Sequence, residues 1–105
     1  MACIFCQIID KSAPADVVYE DEDLIVFKDI QPSAPIHVLL VPKLHMPTVN
    51  DLDSTHATLM GNLFLTAKRL AEQWDILEQG YRLTVNVGRG AGQQVDHIHM
   101  HLISG

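Results

Sequence analysis

The sequence has no apolar run of about 18 residues, which leaves it without a helix able to span a bilayer. It has no basic stripe either. Its 7 lysines and arginines are scattered against 13 acidic residues, for a formal net charge of −6, and the densest charge run, Glu20-Asp21-Glu22-Asp23, is acidic. Proteins that grip a nucleic-acid polymer by its phosphates carry clustered basic residues. A polymer is therefore not the expected ligand, whereas a small nucleotide in one polar pocket is compatible with an acidic surface. The start of the chain, Met1-Ala2-Cys3-Ile4-Phe5-Cys6, lacks both the basic and the long apolar stretch of a secretory signal. Only two cysteines occur. Without an export signal, they predict a reducing, cytoplasmic setting and thiol or metal chemistry in place of a disulfide.

The 105 residues, 48% of them hydrophobic, predict one globular domain over 1–105 with a modest core. Ile4 to Lys11 reads as one or two helical turns, broken by Pro14. Val17-Val18-Tyr19-Glu20 and Leu24 to Asp29 read as strands joined by an acidic turn. Ile36-His37-Val38-Leu39-Leu40-Val41-Pro42 is β-branched and apolar on both faces, the pattern of a central strand stopped by proline. Capping side chains between Asn50 and Ser54 predict a helix start. Leu59, Met60, Leu63, Phe64, Ala67, Leu70, Ala71 and Trp74 recur at spacings of three and four, an amphipathic helix whose stripe is expected to be core. A strand over Tyr81 to Val87 and a glycine-rich turn, Gly88 to Gly92, lead to a final strand. Short connections between strands predict an α+β layer, an antiparallel five-stranded sheet with the long helix on one face and a short N-terminal helix.

The final strand carries the chemistry. His97, His99 and His101 alternate with Ile98 and Met100. In extended chain, positions i, i+2 and i+4 share a face, so three imidazoles form a row. Three readings compete: a three-histidine zinc site, a nucleophilic imidazole flanked by two helpers, and a polar face with no ligand. The outer two residues are about 13 Å apart at roughly 3.3 Å per residue. One small ion cannot take all three without a sharp bend, which favours catalysis by His99. Gly88, Gly90 and Gly92, directly before the row, let backbone N–H groups approach an anion, and Asn86 adds an amide. Cys3-x-x-Cys6 is half of a tetrahedral zinc site, for which His45 and His97 are candidate partners. Two buried thiols or a redox pair are the alternatives. His56, near the helix start, reads as surface.

His97-Ile-His99-Met-His101-Leu-Ile resembles the signature of the histidine triad (HIT) family. Phe27 to Ile30, Ala34 to His37, Pro42 to His45 and Asn86 to Gln93 resemble further blocks of it, so the resemblance covers nearly the whole chain. The nearest branch is similar to the nucleotide-binding, Hint-type phosphoramidases and bacterial HIT proteins. The resemblance implies a meander sheet and a homodimer joining two five-stranded sheets. It implies that His99 attacks the phosphorus of a nucleoside 5′-phosphoramidate or related ester, with purine nucleotides as substrates. A nucleotidyl-histidine forms and water then releases the monophosphate. His101 is expected on the phosphate and leaving group with His37 nearby, and the His97 backbone is expected to orient His99. Asp29 is expected on the ribose, Phe27 and Ile30 on the base, and Asn86, Gly92, Gln93 and Gln94 on the phosphate side. The resemblance also implies a structural Zn²⁺ on Cys3, Cys6, His45 and His97. That assignment makes His101 the better general-acid candidate.

Two features depart from the Hint-type pattern. Gln94 stands where many of its members have a serine at the leaving group, which bears on phosphoramidate preference. The sequence ends at Gly105, whereas longer relatives carry a tail across the dimer; either the chain is cut short or its pocket is more open. Dinucleoside polyphosphate hydrolysis, or nucleotide binding without catalysis, are the alternative activities.

Overall fold

The computed structural model describes residues 3–105; Met1 and Ala2 of the N-terminal stretch lie outside them. The elements follow in the order α1 (Ile4–Ile9), β1 (Val17–Glu20), β2 (Leu24–Lys28), β3 (Ile36–Pro42), α2 (Ala57–Gln73), β4 (Arg82–Thr84) and β5 (Met100–Ser104), with single 3₁₀ turns at Val49–Asp51, Ser54–His56 and Arg89–Ala91. All strand pairs are antiparallel. The strand order is β1-β2-β3-β5-β4. The meander therefore runs through β3. The chain then crosses on α2 to the far edge, and β5 fills the gap between β3 and β4. This places the histidine strand centrally beside the His37 strand, with Leu39 opposite His101 and His37 opposite Ile103.

Period-two alternation sends the two faces of β3 and β5 to different cores. Val38, Leu40, Met100 and Leu102 pack with Leu24 and Val26 against Leu63, Ala67, Leu70 and Ala71 of α2. Leu39 and Val41 join Ile25 and Phe27 on the opposite face, where Phe5 and Ile8 of α1 cover them. The helix stripe behaves as expected at those four α2 positions. Phe64 is the exception, 56% exposed because it turns off the sheet-facing arc.

The helix also starts later than its capping residues suggest. Thr48 and Asp53 cap two separate 3₁₀ turns before Ala57: the Thr48 hydroxyl accepts from the Asn50 N–H and the Asp53 carboxylate from the Thr55 N–H. His56 accepts the Asp53 N–H through Nδ1, a capping role. Strand β4 is shorter than the apolar run around it, and β5 starts only at Met100. His97 and His99 therefore sit in irregular chain just ahead of the ladder, where their rings and carbonyls are free for other partners.

Candidate active site and metal centre

The histidine row lies on the α1 side of the sheet, and its three members part company. His97 points towards the thiols of α1. Its Nδ1 is 3.3 Å from Cys3 Sγ, 3.7 Å from Cys6 Sγ and 3.1 Å from His45 Nδ1. His45 Nδ1 is 3.3 Å from Cys6 Sγ and 3.6 Å from Cys3 Sγ. Four donor atoms from chain positions 3, 6, 45 and 97 thus lie within 4.8 Å of one another. A tetrahedron with zinc–ligand bonds of 2.0–2.3 Å has edges of about 3.3–3.8 Å, close to these separations. Backbone bonds prepare two of the four. The Cys6 N–H donates to Cys3 Sγ, which fixes the first thiol as cap of α1. His97 Nε2 lies 2.7 Å from the Pro42 carbonyl. A carbonyl only accepts, so the proton sits on Nε2 and the Nδ1 lone pair faces the cluster, the arrangement expected of a ligating histidine. Burial above all, then the charges of His45 and His99, lowers the His97 pKa against the Pro42 bond, which favours the neutral ligand form. The Cys6 thiol is pushed up, first by burial and then by Cys3, a direction that a bound cation reverses. These residues fit a metal ion.

His99 occupies the middle. Its Nδ1 is 2.8 Å from the His97 carbonyl, so Nδ1 carries the proton and Nε2 keeps the free lone pair. The Phe5 ring meets it edge-on, with centroids 5.0 Å apart. His99 lines a cavity of about 320 Å³ together with His101, Asp29, Phe27, Ile30 and Gln94. Volume, apolar walls and a few converging polar groups suit a small-molecule ligand.

His101 closes the row. Its Nδ1 is 2.9 Å from His37 Nε2, and Asp29 Oδ2 is 3.4 Å from that same His37 atom. The Ser33 N–H donates to His37 Nδ1 at 3.0 Å. That donor leaves no place for a proton on Nδ1, so the proton of neutral His37 is on Nε2, directed at His101 and Asp29. His101 Nδ1 accepts it, and His101 keeps an N–H at Nε2. Burial first, then His99 and His37, lowers the His101 pKa, with Asp29 opposing. Asp29, His37 and His101 also bring three potential ligand atoms together. In this arrangement the His37 atom facing the group carries hydrogen, so the trio is a hydrogen-bonded network.

The glycine turn divides the remaining sequence candidates. Gln93 is buried, and its side chain is committed to the loop: Oε1 accepts the Gly88 N–H, and Nε2 donates to the carbonyls of Pro47 and Val95. Asn86 donates to the Ala91 carbonyl. Gly92 is left-handed (φ 94°), with Asn86 Nδ2 3.7 Å from where a Cβ would stand. These three shape the turn and do not line the cavity, which Gln94 reaches. Ile30, 93% exposed, stands at the rim.

Sequence reasoning missed Ile4, Phe5 and Ile8, which form the α1 wall of the cavity, and Ser33, which sets the His37 proton. The signal for the first set was present: apolar residues interleaved with the two cysteines in one short helix. No local signal marks Ser33, whose N–H donates to His37 Nδ1 and whose hydroxyl lies 3.4 Å from the same atom.

Comparison with known proteins accords with this geometry. The family model of the HIT domain matches residues 10–105. The chain is 46% identical over 102 residues to a purine nucleoside phosphoramidase of Escherichia coli (strain K12), covering 97% of this chain and 86% of that protein. A HIT family hydrolase from Legionella pneumophila Philadelphia 1 superposes with a TM-score of 0.97 at 45% identity, over 99% of this chain and 93% of the other. A Zn-bound histidine triad family protein from Mycobacterium smegmatis superposes at 0.83 with 33% identity, over 98% and 74%. With its row of three histidines parted among thiols, cavity and His37, the chain belongs to the HIT domain family.

Proposed function

We propose that this protein is a nucleotide hydrolase that cleaves nucleoside 5′-phosphoramidates or related phosphoesters, purine ones by its likeness to the phosphoramidase, through a nucleotide bound covalently to His99. One observation carries the reading. The His97 carbonyl holds the His99 Nδ1 proton, so an unprotonated Nε2 belongs to a ring lining the cavity.

In the first step the Nε2 lone pair forms a bond to phosphorus as the bond to the leaving group breaks. The ring keeps its Nδ1 proton, and the carbonyl stabilises the positive charge it acquires. In the second step water displaces His99 and the nucleoside monophosphate departs. The leaving group takes its proton in the first step from solvent through His101 Nε2, and in the second step the attacking water leaves its hydroxyl on phosphorus and returns a proton to solvent. His101 offers Nε2–H to the phosphoryl oxygens as charge develops. Asp29 holds the ribose; its Oδ1 is steadied by the Gln31 N–H. Phe27, Ile30 and the α1 residues Ile4, Phe5 and Ile8 enclose the base. Asn86, Gly92 and Gln93 set the turn from which Gln94 approaches the phosphate side.

Cys3, Cys6, His45 and His97 would hold one structural Zn²⁺. Four protein ligands close the coordination, so the ion supplies a cross-link between α1 and the sheet and no bound water. The exposed Phe64 and Leu65 and the unpaired side of β4 support a homodimer. The two free thiols suit the cytoplasm, and residues 1–105 form one domain in this reading. Among the described residues no helix is long and apolar enough to cross a membrane.

The test is turnover across purine nucleoside phosphoramidates, dinucleoside polyphosphates and sugar nucleotides, with mass analysis of enzyme quenched during turnover. A nucleotidyl increment on the peptide containing His99 is expected. Sustained turnover without it would overturn the mechanism.

A further inference from the structure

Helix α1 belongs to two sites at once. It is six residues long, too short to be stable without tertiary anchors. Cys3 and Cys6 turn its sulfur atoms to His45 and His97, while Ile4, Phe5 and Ile8 form a wall of the nucleotide cavity. Phe5 lies between the two thiols in sequence. Its ring packs edge-on against His99 (5.0 Å between centroids), Phe27 (5.5 Å) and His97 (5.9 Å). A second connection runs through His97, whose ring belongs to the thiol cluster and whose carbonyl orients His99.

We propose that metal binding at Cys3, Cys6, His45 and His97 and nucleotide binding beside His99 are thermodynamically coupled through α1, with Phe5 as the positioning residue. The inference rests on the nucleotide-binding reading above. Without an ion, the α1 thiols meet the two imidazoles through weak sulfur contacts of 3.3–3.7 Å. Coordination replaces these with bonds that fix the helix, and with it the Phe5 face. A base packed on that face restrains the same helix from the other side. Whichever ligand arrives first bears the cost of ordering α1, so the second binds more tightly. Because the coupling is one free energy, each ligand must improve the other by the same factor.

The experiment uses the full chain, zinc-loaded and chelator-stripped, with adenosine 5′-monophosphate as probe. Titration calorimetry gives the nucleotide Kd in both forms. Competition with a chromophoric chelator gives the zinc affinity with and without saturating nucleotide. Stripping is expected to weaken nucleotide binding by about 5- to 100-fold, and nucleotide to tighten zinc by the same factor. Phe5→Ala is expected to keep one zinc per chain while the factor falls towards one. Should the stripped protein lose its fold by circular dichroism, the chelator concentration that removes half the zinc, compared with and without nucleotide, still reads the coupling. Equal nucleotide affinity in folded zinc-loaded and stripped protein would overturn the coupling and leave the nucleotide reading intact. No binding to the zinc-loaded protein would overturn both. A factor unchanged in Phe5→Ala would overturn the role of Phe5.

Discussion

The two ends of the histidine row hold similar side chains and differ in what the backbone does to them. At one end His97 is bound at Nε2 by a carbonyl, that of Pro42, and its Nδ1 lone pair faces two thiols and another imidazole. At the other end His37 is bound at Nδ1 by an N–H, that of Ser33, and its Nε2 proton faces His101 and Asp29. Each end gathers potential ligand atoms within 4.8 Å. A backbone acceptor prepares the first histidine as a ligand; a backbone donor prepares the second as a hydrogen-bond donor. Residue type and proximity are thus insufficient to identify a metal site, because the proton position decides which ring atom has a lone pair to give.

The comparison can be broken at its centre. His99→Ala removes the proposed nucleophile between the two ends, and turnover is expected to fall by about 10³-fold or more with nucleotide binding retained. Steady-state rates and a binding titration on one preparation check both parts. A fall confined to affinity would move the nucleophile elsewhere.

The next largest effect concerns the metal. Elemental analysis is expected to find one zinc per chain in the parent protein and none in Cys6→Ser, whose melting temperature is expected to be lower by about 10 °C. Asp29→Asn is expected to leave zinc content unchanged. A second equivalent of zinc lost with Asp29→Asn would show that both ends hold metal and would end the contrast.

A direct reading of the protons sharpens it. Long-range ¹H–¹⁵N spectra of the imidazoles are expected to place the proton on Nε2 in His37 and His97 and on Nδ1 in His99. A proton on Nδ1 of His37 would contradict the Ser33 hydrogen bond and reopen that trio as a ligand set.

The smallest effect is on stability against pH. The His101 pKa is lowered in the folded state by burial, then by His99 and His37, with Asp29 opposing. The unfolded chain therefore takes up this proton first as pH falls. The contribution of neutral His101 is fully present above its unfolded pKa of about 6.5 and is lost as pH falls from there through the folded value. Denaturant midpoints of zinc-loaded protein between pH 8 and 5 should decline below that point, less so in His101→Asn. An equal decline in both would place the responsible group elsewhere.

Much of the fold was legible because it follows from local period. The unbroken apolar run of Ile36–Pro42 fits a strand buried on both faces, and the three-four spacing from Leu63 to Ala71 admits one buried face. The order of β4 and β5 was not legible, since both runs read as strands and only the crossover on α2 makes β5 the inner one. At the site, the alternation of His97, His99 and His101 announced a shared face. The α1 wall was overlooked because six residues carry too little periodicity to reveal which side is covered.

The sequence by itself determined that three alternate histidines would lead into the last strand, and that two thiols at one turn's spacing would present a half-site. Those are consequences of a two-residue repeat and a short helix, both local. Only the tertiary structure decided which partner each ring received. Cys3 meets His97 across 94 positions and His37 meets His101 across 64, and neither separation is encoded nearby. Strand order brings those residues together, and the carbonyl or N–H that meets each ring then decides which nitrogen carries the proton and which keeps a lone pair.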